Sequence, residues 1–264
     1  MKTDISSSEN QWVKLAVSLH LKKYRDDLGM FLIEGVRLVS EALDSDFEIE
    51  YILTCEDLLL KTNGGREILQ RIESYKVYNL PAGIFNKIAD TQTPQGIMAV
   101  VRKPDADGKV PSGSFFVILD DVRDPGNVGT IIRTADAAGA DAVLLSRSCC
   151  DLYSLKTIRA TMGSIFRVRV YDELDLVVAL QSLKDEGIRV IISDSDAQKS
   201  YFELDYKKGT ALVVGNEASG VSPEVMQYAD ERVRIPMKGN IESLNAGMAA
   251  GILMYEVVRQ RLKG

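Results

Sequence analysis

The chain has 264 residues, of which 45% are hydrophobic and 27% charged, and its formal net charge is -6. That is enough apolar material for one large or two modest cores, and it excludes nucleic-acid binding by bulk positive charge alone, leaving only local patches for that role. No apolar run reaches the roughly 20 residues needed to cross a bilayer and Met1-Lys-Thr-Asp-Ile-Ser lacks a signal-peptide core, so a cytoplasmic protein without membrane partners is expected.

In chain order, a long amino-terminal helix comes first. Lys14, Lys22 and Arg25 share about a half-turn of arc on an ideal helix, with Lys23 beside them. These residues form either an RNA-facing patch or a solvated helix face. Strand candidates Met30 to Glu34, Ile49 to Thr54, Lys76 to Leu80 and Ile97 to Arg102 then alternate with helical segments that include Arg37 to Leu43. They predict a small α/β domain of about 100 residues. Pro104-Asp-Ala-Asp-Gly-Lys-Val-Pro-Ser-Gly-Ser114 has no hydrophobic periodicity and is rich in turn formers. The expected division is a domain over 1–104, a linker over 105–114 and a second domain over 115–264.

Beyond the linker, apolar runs recur at Phe115 to Leu119, Ala142 to Leu145, Phe166 to Val170, Arg189 to Ser193, Ala211 to Gly215 and Arg232 to Ile235. Helical connections are expected at Val128 to Ala138, Leu174 to Glu186 and Ser243 to Leu262. Continuous apolar strands separated by helices predict a parallel sheet covered on both faces, with its ligand beyond the carboxyl ends of the strands.

At those ends stand three loops of small and polar residues. Asp124-Pro-Gly-Asn-Val-Gly129 joins a strand to a helix whose first free amides can face a polar ligand. In that helix Val128, Ile131, Ile132, Ala135 and Ala138 form the buried stripe. Arg133 lies off the stripe, where a surface pair with Asp136 is the plain structural expectation. Gly215-Asn-Glu-Ala-Ser-Gly220 is a glycine-rich turn leading to a helix start at Ser222-Pro223-Glu224; Gly215 would let a ligand approach the backbone. Glu217 disfavours a polyphosphate and suits a neutral adenosine or a sulfonium. The third loop runs from Ile235-Pro-Met to Ser243-Leu-Asn245, with Ser243 a candidate N-cap of the last helix. That helix holds Gly247 and Gly251 four apart on one face, which permits close packing against the sheet or a second subunit.

The residue inventory narrows the chemistry. Cys55, Cys149 and Cys150 supply neither a disulfide framework nor a C-x-x-C ligand set, so no metal is expected. The single histidine, His20, lies far from the loops and is a poor candidate for a general base. No G-x-G-x-x-G follows the first strand of the sheet, which argues against a nucleotide-binding oxidoreductase.

Taken in order, Leu119-Asp-Asp-Val-Arg-Asp-Pro-Gly-Asn-Val-Gly-Thr-Ile-Ile-Arg133, Leu212-Val-Val-Gly-Asn-Glu-Ala-Ser-Gly220 and Ile235-Pro-Met-Lys-Gly-Asn-Ile-Glu-Ser-Leu-Asn245 resemble the signature motifs of the SpoU (TrmH-type) RNA 2'-O-ribose methyltransferases of the SPOUT superfamily. Lys22-Lys-Tyr-Arg25, Phe31-Leu-Ile-Glu-Gly-Val-Arg37 and Thr93-Pro-Gln-Gly-Ile97 are similar to the substrate-binding domain that precedes the catalytic one in many members. The residues after Asn245 depart from the family's usual Val and Ser. The resemblance implies an α/β fold with a small RNA-binding domain, a parallel-sheet catalytic domain and a carboxy-terminal trefoil knot. It implies methyl transfer from S-adenosylmethionine to a ribose 2'-hydroxyl of RNA, with ribosomal RNA the expected substrate, in a homodimer joined through the catalytic domains. Arg133 would act at the reacting ribose, with Asn127 and Glu217 orienting both. Gly215, Ile235 and Leu244 would hold the adenosine through their backbone, beside Asn216, Gly220, Met237, Ser243 and Asn245. Lys22, Lys23, Arg25 and Arg37 would face RNA, with Glu34 and Gly35 near the same face. A non-catalytic RNA-binding protein of ribosome assembly, or the same chemistry on transfer RNA, are the alternatives.

Overall fold

The computed structural model describes residues 2–104, 110–241 and 243–262. Residues 105–109 of the expected linker, and Glu242 of the third loop, lie outside the described residues. The chain forms two compact units, one from the described part of Met1–Asp105 together with Tyr153–Phe166, the other from Ala106–Leu152 and Arg167–Gly264.

The first unit carries β1 (Lys2–Asp4), β2 (Met30–Glu34), β3 (Ile49–Thr54), β4 (Val77–Asn79) and β5 (Ile97–Arg102), ordered β1-β4-β3-β5-β2. Strands β1, β4 and β3 run parallel, and β5 runs antiparallel to β3 and β2. Phe31, Leu32 and Ile33 of β2 and Met98 to Val101 of β5 are all buried, so the centre of this sheet is covered on both faces. The helices are α1 (Gln11–Ser18), α2 (Lys22–Leu28), α3 (Val36–Leu43), α4 (Glu56–Leu59), α5 (Gly65–Arg71) and α6 (Ala82–Ile88), with α8 (Leu155–Thr161) returning from later in the chain. The returning segment is held by rings: Tyr153 lies 4.8 Å from Phe31, and Phe166 lies 5.1 Å from Phe47.

Two expectations fail here for the same reason. The long amino-terminal helix is broken into α1 and α2, because the chain turns extended at Leu21. His20 Nε2 meets the Ile88 carbonyl oxygen at 2.8 Å, and the Arg25 guanidinium turns inward to donate to the Leu19 carbonyl oxygen at 2.6 Å. Arg25 is 4% exposed, so it belongs to no surface patch. Lys14 pairs with Glu9 at 2.6 Å and Lys22 with Asp26 at 2.7 Å, which neutralises most of the charge expected there.

The second unit is built on β6 (Phe115–Leu119), β7 (Ala142–Ser146), β8 (Arg169–Leu174), β9 (Arg189–Ser193), β10 (Lys199–Ser200), β11 (Thr210–Val214) and β12 (Glu231–Arg234), a seven-stranded sheet ordered β10-β12-β9-β11-β6-β7-β8. Every pairing is parallel. The expected strand over Phe166 to Val170 is displaced: Ser164–Phe166 is a short 3-10 turn and β8 begins at Arg169. On one face Phe116, Ile118, Leu144, Val190, Ile192 and Val213 meet Leu180 and Leu183 of α9 (Leu176–Asp185) and Val225 of α10 (Pro223–Met226). The other helices of the unit are α7 (Pro125–Ala138) and α11 (Ala246–Leu262), which pack on each other.

The strand order positions everything that follows. From β6 the chain moves outward through β7 and β8, then returns to place β11 beside β6 and β9 beside β11. The carboxyl ends of β6, β11, β9 and β12 therefore stand side by side at the point where the order reverses, the usual ligand position of an open parallel sheet.

Candidate functional site

A cleft of about 930 Å³ opens at the ends of three of those strands, β11, β9 and β12. Its lining includes Gly215 to Val221 after β11, Ile235 to Met237, Ser243 and Leu244 after β12, and Ser193 to Asp196 after β9. The sequence motifs supplied the first two groups. The β9 loop was missed, although the strand-end rule points to Ser193-Asp194-Ser195-Asp196 as well. Asp194 is anchored there by the Arg232 guanidinium, whose Nε donates to Oδ2 at 2.6 Å.

The β11 loop is folded tightly on itself. Asn216 and Gly220 exchange two backbone hydrogen bonds of 2.9 Å, and Asn216 Oδ1 accepts from the amides of Ala218 and Ser219 at 2.9 and 3.1 Å. This is why position 215 takes glycine: a Cβ there would lie 2.3 Å from the Gly220 carbonyl carbon. The expected reason was different, since the space is filled by the loop itself rather than left for a ligand. The short helix α10 begins at Pro223, as the sequence indicated, with Ser222 at the N-cap position and no side-chain cap bond.

Glu217, Asn127 and Asn245 come from three separate motifs and form one hydrogen-bonded row. Asn127 Nδ2 donates to Glu217 Oε1, and Asn245 Nδ2 donates to Asn127 Oδ1 at 2.8 Å. Asn127 thus has both ends of its amide engaged, which fixes its orientation. Its backbone is fixed as well, because the N-cap Asp124 accepts from the Asn127 amide at 2.8 Å. Asp124→Ala should lower stability by about 1 kcal/mol, read as a fall of roughly 2–4 °C in the thermal midpoint, and should loosen Asn127. An unchanged midpoint would show that the cap is dispensable.

Asn245, rather than Ser243, caps the last helix: its Oδ1 accepts from the Met248 amide at 3.2 Å, and α11 begins at Ala246. Asn245 is not among the residues that line the cleft and is linked to it through Asn127 and Glu217. Gly247 and Gly251 face the chain's own α7, where added Cβ atoms would meet Thr130 at 3.3 Å and Thr134 at 3.9 Å. That small face lets α11 approach α7 closely within the chain.

Arg133 is exposed on α7, and no hydrogen bond or ion pair engages it among the described residues. The expected Asp136 partner is taken by Arg167, at 2.9 Å. Arg133 does not line the cleft. Burial pushes the Cys149 thiol up from its ordinary range, so it offers no ready thiolate. No group of His, Cys, Asp and Glu suited to a metal ion occurs among the described residues.

In the first unit, Lys23 and Arg37 are exposed and engaged by no ion pair among the described residues. The buried Glu34 carboxylate accepts from the Asp90 amide at 3.0 Å and from the Thr91 hydroxyl. Gln95 Oε1 accepts from the Val36 amide at 2.8 Å. These bonds bring the Glu34 to Arg37 and Thr93 to Ile97 segments together.

The cleft suits a nucleoside. Val214, Val221, Met226 and Leu244 offer apolar surface, while the main-chain groups of Ile235, Met237 and Leu244 are engaged by no backbone partner among the described residues. Free main-chain donors and acceptors beside apolar walls are what adenine and ribose recognition needs.

Comparison with known proteins adds an independent line. A family model described as the SpoU rRNA Methylase family matches residues 114–255, and one described as an MRM3-like substrate binding domain matches residues 10–99. The chain is 37% identical over 253 residues to the 23S rRNA (guanosine(2553)-2'-O)-methyltransferase RlmP of Bacillus subtilis, covering 96% of this chain and 98% of the relative. Among solved structures, an AdoMet-bound rRNA methyltransferase from Sinorhizobium meliloti superposes with a TM-score of 0.83 at 30% identity, covering 98% of each chain. The SpoU methyltransferase AviRb from Streptomyces viridochromogenes, in complex with AdoMet, superposes with a TM-score of 0.85 at 28% identity, covering 97% of this chain and all 100% of that one.

Proposed function

Since the chain belongs to the SpoU rRNA methylase family, we propose that its cleft binds S-adenosylmethionine and that the enzyme methylates a ribose 2'-hydroxyl of ribosomal RNA. The observation that carries this reading is the convergence of the three motifs on one site, with Glu217, Asn127 and Asn245 hydrogen-bonded in a row at the edge of the cleft.

When bound, S-adenosylmethionine supplies a methyl group on a sulfonium, an electrophile that needs no metal. The residues of this chain hold the cofactor and prepare the ribose. Ile235, Met237 and Leu244 present backbone groups to the adenosine, and Gly215, Asn216 and Gly220 shape the opposite wall. Ser243 lines the cleft. Glu217 spends one carboxylate oxygen on Asn127, and its other oxygen is left to accept from a ribose hydroxyl. Arg133 stabilises the negative charge that develops on the 2'-oxygen while its proton passes to solvent water: a guanidinium stays charged, so it serves as an anion stabiliser rather than a base. His20 cannot replace it, because its ring is committed to the Ile88 carbonyl in the first unit.

Four finer points belong to the same proposal. Residues 1–104 bind the RNA, with Lys23 and Arg37 as the exposed cations, and residues 115–264 carry the chemistry. The loops after β11 and β12 form the trefoil knot of the family. The enzyme acts as a homodimer through its catalytic domains; Met248, Tyr255 and Leu262 support this, lying seven residues apart along α11 with exposures of 61%, 51% and 81%. We place it in the cytoplasm, with ribosomal RNA as its partner; no described helix is long and apolar enough to cross a membrane.

The test is incubation with methyl-labelled S-adenosylmethionine and ribosomal RNA from cells lacking the gene, followed by nuclease digestion. A labelled 2'-O-methyl nucleoside is the expected product. Label in transfer RNA alone would move the substrate assignment, and no transfer together with no cofactor binding by calorimetry would overturn the enzyme.

A further inference from the structure

We infer that Asp120 is a positioning residue for the cofactor loop, holding the far end of Gly215 to Ser222 in its binding conformation; this rests on the S-adenosylmethionine reading given above. Asp120 follows β6 and is 4% exposed, yet no ion pair engages it among the described residues. A carboxylate buried without a cation is costly, and here its hydrogen bond goes to the loop: Oδ2 accepts from the Ser222 amide at 2.7 Å. The Asp120 amide in turn donates to the Val214 carbonyl oxygen at 2.9 Å, so one residue touches both the strand before the loop and the residue after it.

The neighbouring residue secures the other end. Asp121 adopts a left-handed conformation with φ of 57°, which aims its carbonyl oxygen at Asn216 Nδ2, 2.9 Å away. Ser146 holds it there by accepting from the Asp121 amide at 2.9 Å. Asn216 and Ser222 are thus gripped by the consecutive aspartates that follow β6, and the loop between them is the wall that carries Glu217. Losing the grip on Ser222 frees the loop to sample other conformations. Cofactor affinity then falls by the fraction of time the binding conformation is lost, while the bound complex still reacts.

Calorimetry with S-adenosylmethionine on the full chain, joined to steady-state kinetics, tests this. Asp120→Ala should weaken cofactor binding at least tenfold and raise KM for the cofactor in parallel, with kcat at saturation within about threefold of wild type. Asp120→Asn keeps an acceptor oxygen at the same place and should restore most of the affinity. Wild-type affinity in Asp120→Ala would overturn the inference, and so would Asp120→Asn as weak as the alanine variant. If Asp120→Ala does not fold, Ser222→Pro reads the same bond from the donor side. Ser222 has φ of -61°, which proline tolerates, and its side chain makes no capping bond. Ser222→Pro should show the same loss, and wild-type affinity there also overturns the inference. Wild-type protein that binds no S-adenosylmethionine would instead defeat the underlying functional reading.

Discussion

Arg133→Ala should lower kcat for methyl transfer by about a hundred- to a thousandfold while leaving the cofactor Kd within about threefold of wild type, the size of effect expected when one donor to a developing oxyanion is removed. Two structural facts set this split. Arg133 is exposed and engaged by no ion pair among the described residues, so its charge is available to substrate and its loss leaves no buried partner stranded. It is also absent from the cleft lining, so the cofactor should scarcely register its removal. Stability should change by less than about 0.5 kcal/mol, as for other surface substitutions. Arg133→Lys should recover only part of the rate, because an ammonium keeps the charge but loses the planar fork. Full activity in Arg133→Ala would remove the arginine from the mechanism. If wild type and variant both bound RNA and neither transferred a methyl group, the protein would be a binding factor and not an enzyme.

Strands β6, β9 and β11 were legible because their centres are buried on both sides and read as apolar runs: β6 and β9 fall where the sequence puts them, and β11 within one residue, whereas β12 buries only Val233. What the sequence misplaced depends on distant contacts. Nothing local marks the break between α1 and α2, since no glycine or proline stands there. The break is held by the Ile88 carbonyl, 68 residues from His20. Phe166 looks like the start of a strand, but its ring packs edge-on to Phe47 in the first unit, and the strand starts later. At the site, residue types pointed to the loops, whereas the bonding within them was invisible. The row from Glu217 through Asn127 to Asn245 spans 90 and 118 positions of sequence, and only the return of β11 to the side of β6 brings its members together. Asp194 could have been anticipated, because it follows β9 just as the motif loops follow their strands.

The same loop packing makes Gly215→Ala the most damaging single-atom addition available at the cleft. A Cβ at 215 would stand 2.3 Å from the Gly220 carbonyl carbon, 2.4 Å from its oxygen and 2.4 Å from the Val221 nitrogen. All three are backbone atoms, so no side-chain rotation relieves the overlap. The loop must open, which breaks the paired Asn216 and Gly220 hydrogen bonds and shifts Glu217 away from Asn127. We expect S-adenosylmethionine affinity to fall at least about a hundredfold, with a stability loss of about 1–3 kcal/mol from overpacking. Gly220→Ala separates crowding from backbone conformation. Gly220 has φ of 70° but open space where its Cβ would go, so that variant should lose about 1–2 kcal/mol of stability and far less affinity than Gly215→Ala. Calorimetry and thermal melts on the two variants decide the matter. If Gly215→Ala bound the cofactor as wild type does, the folded-back loop could not be the binding conformation, and the wall of the cleft would have to form only when the ligand arrives.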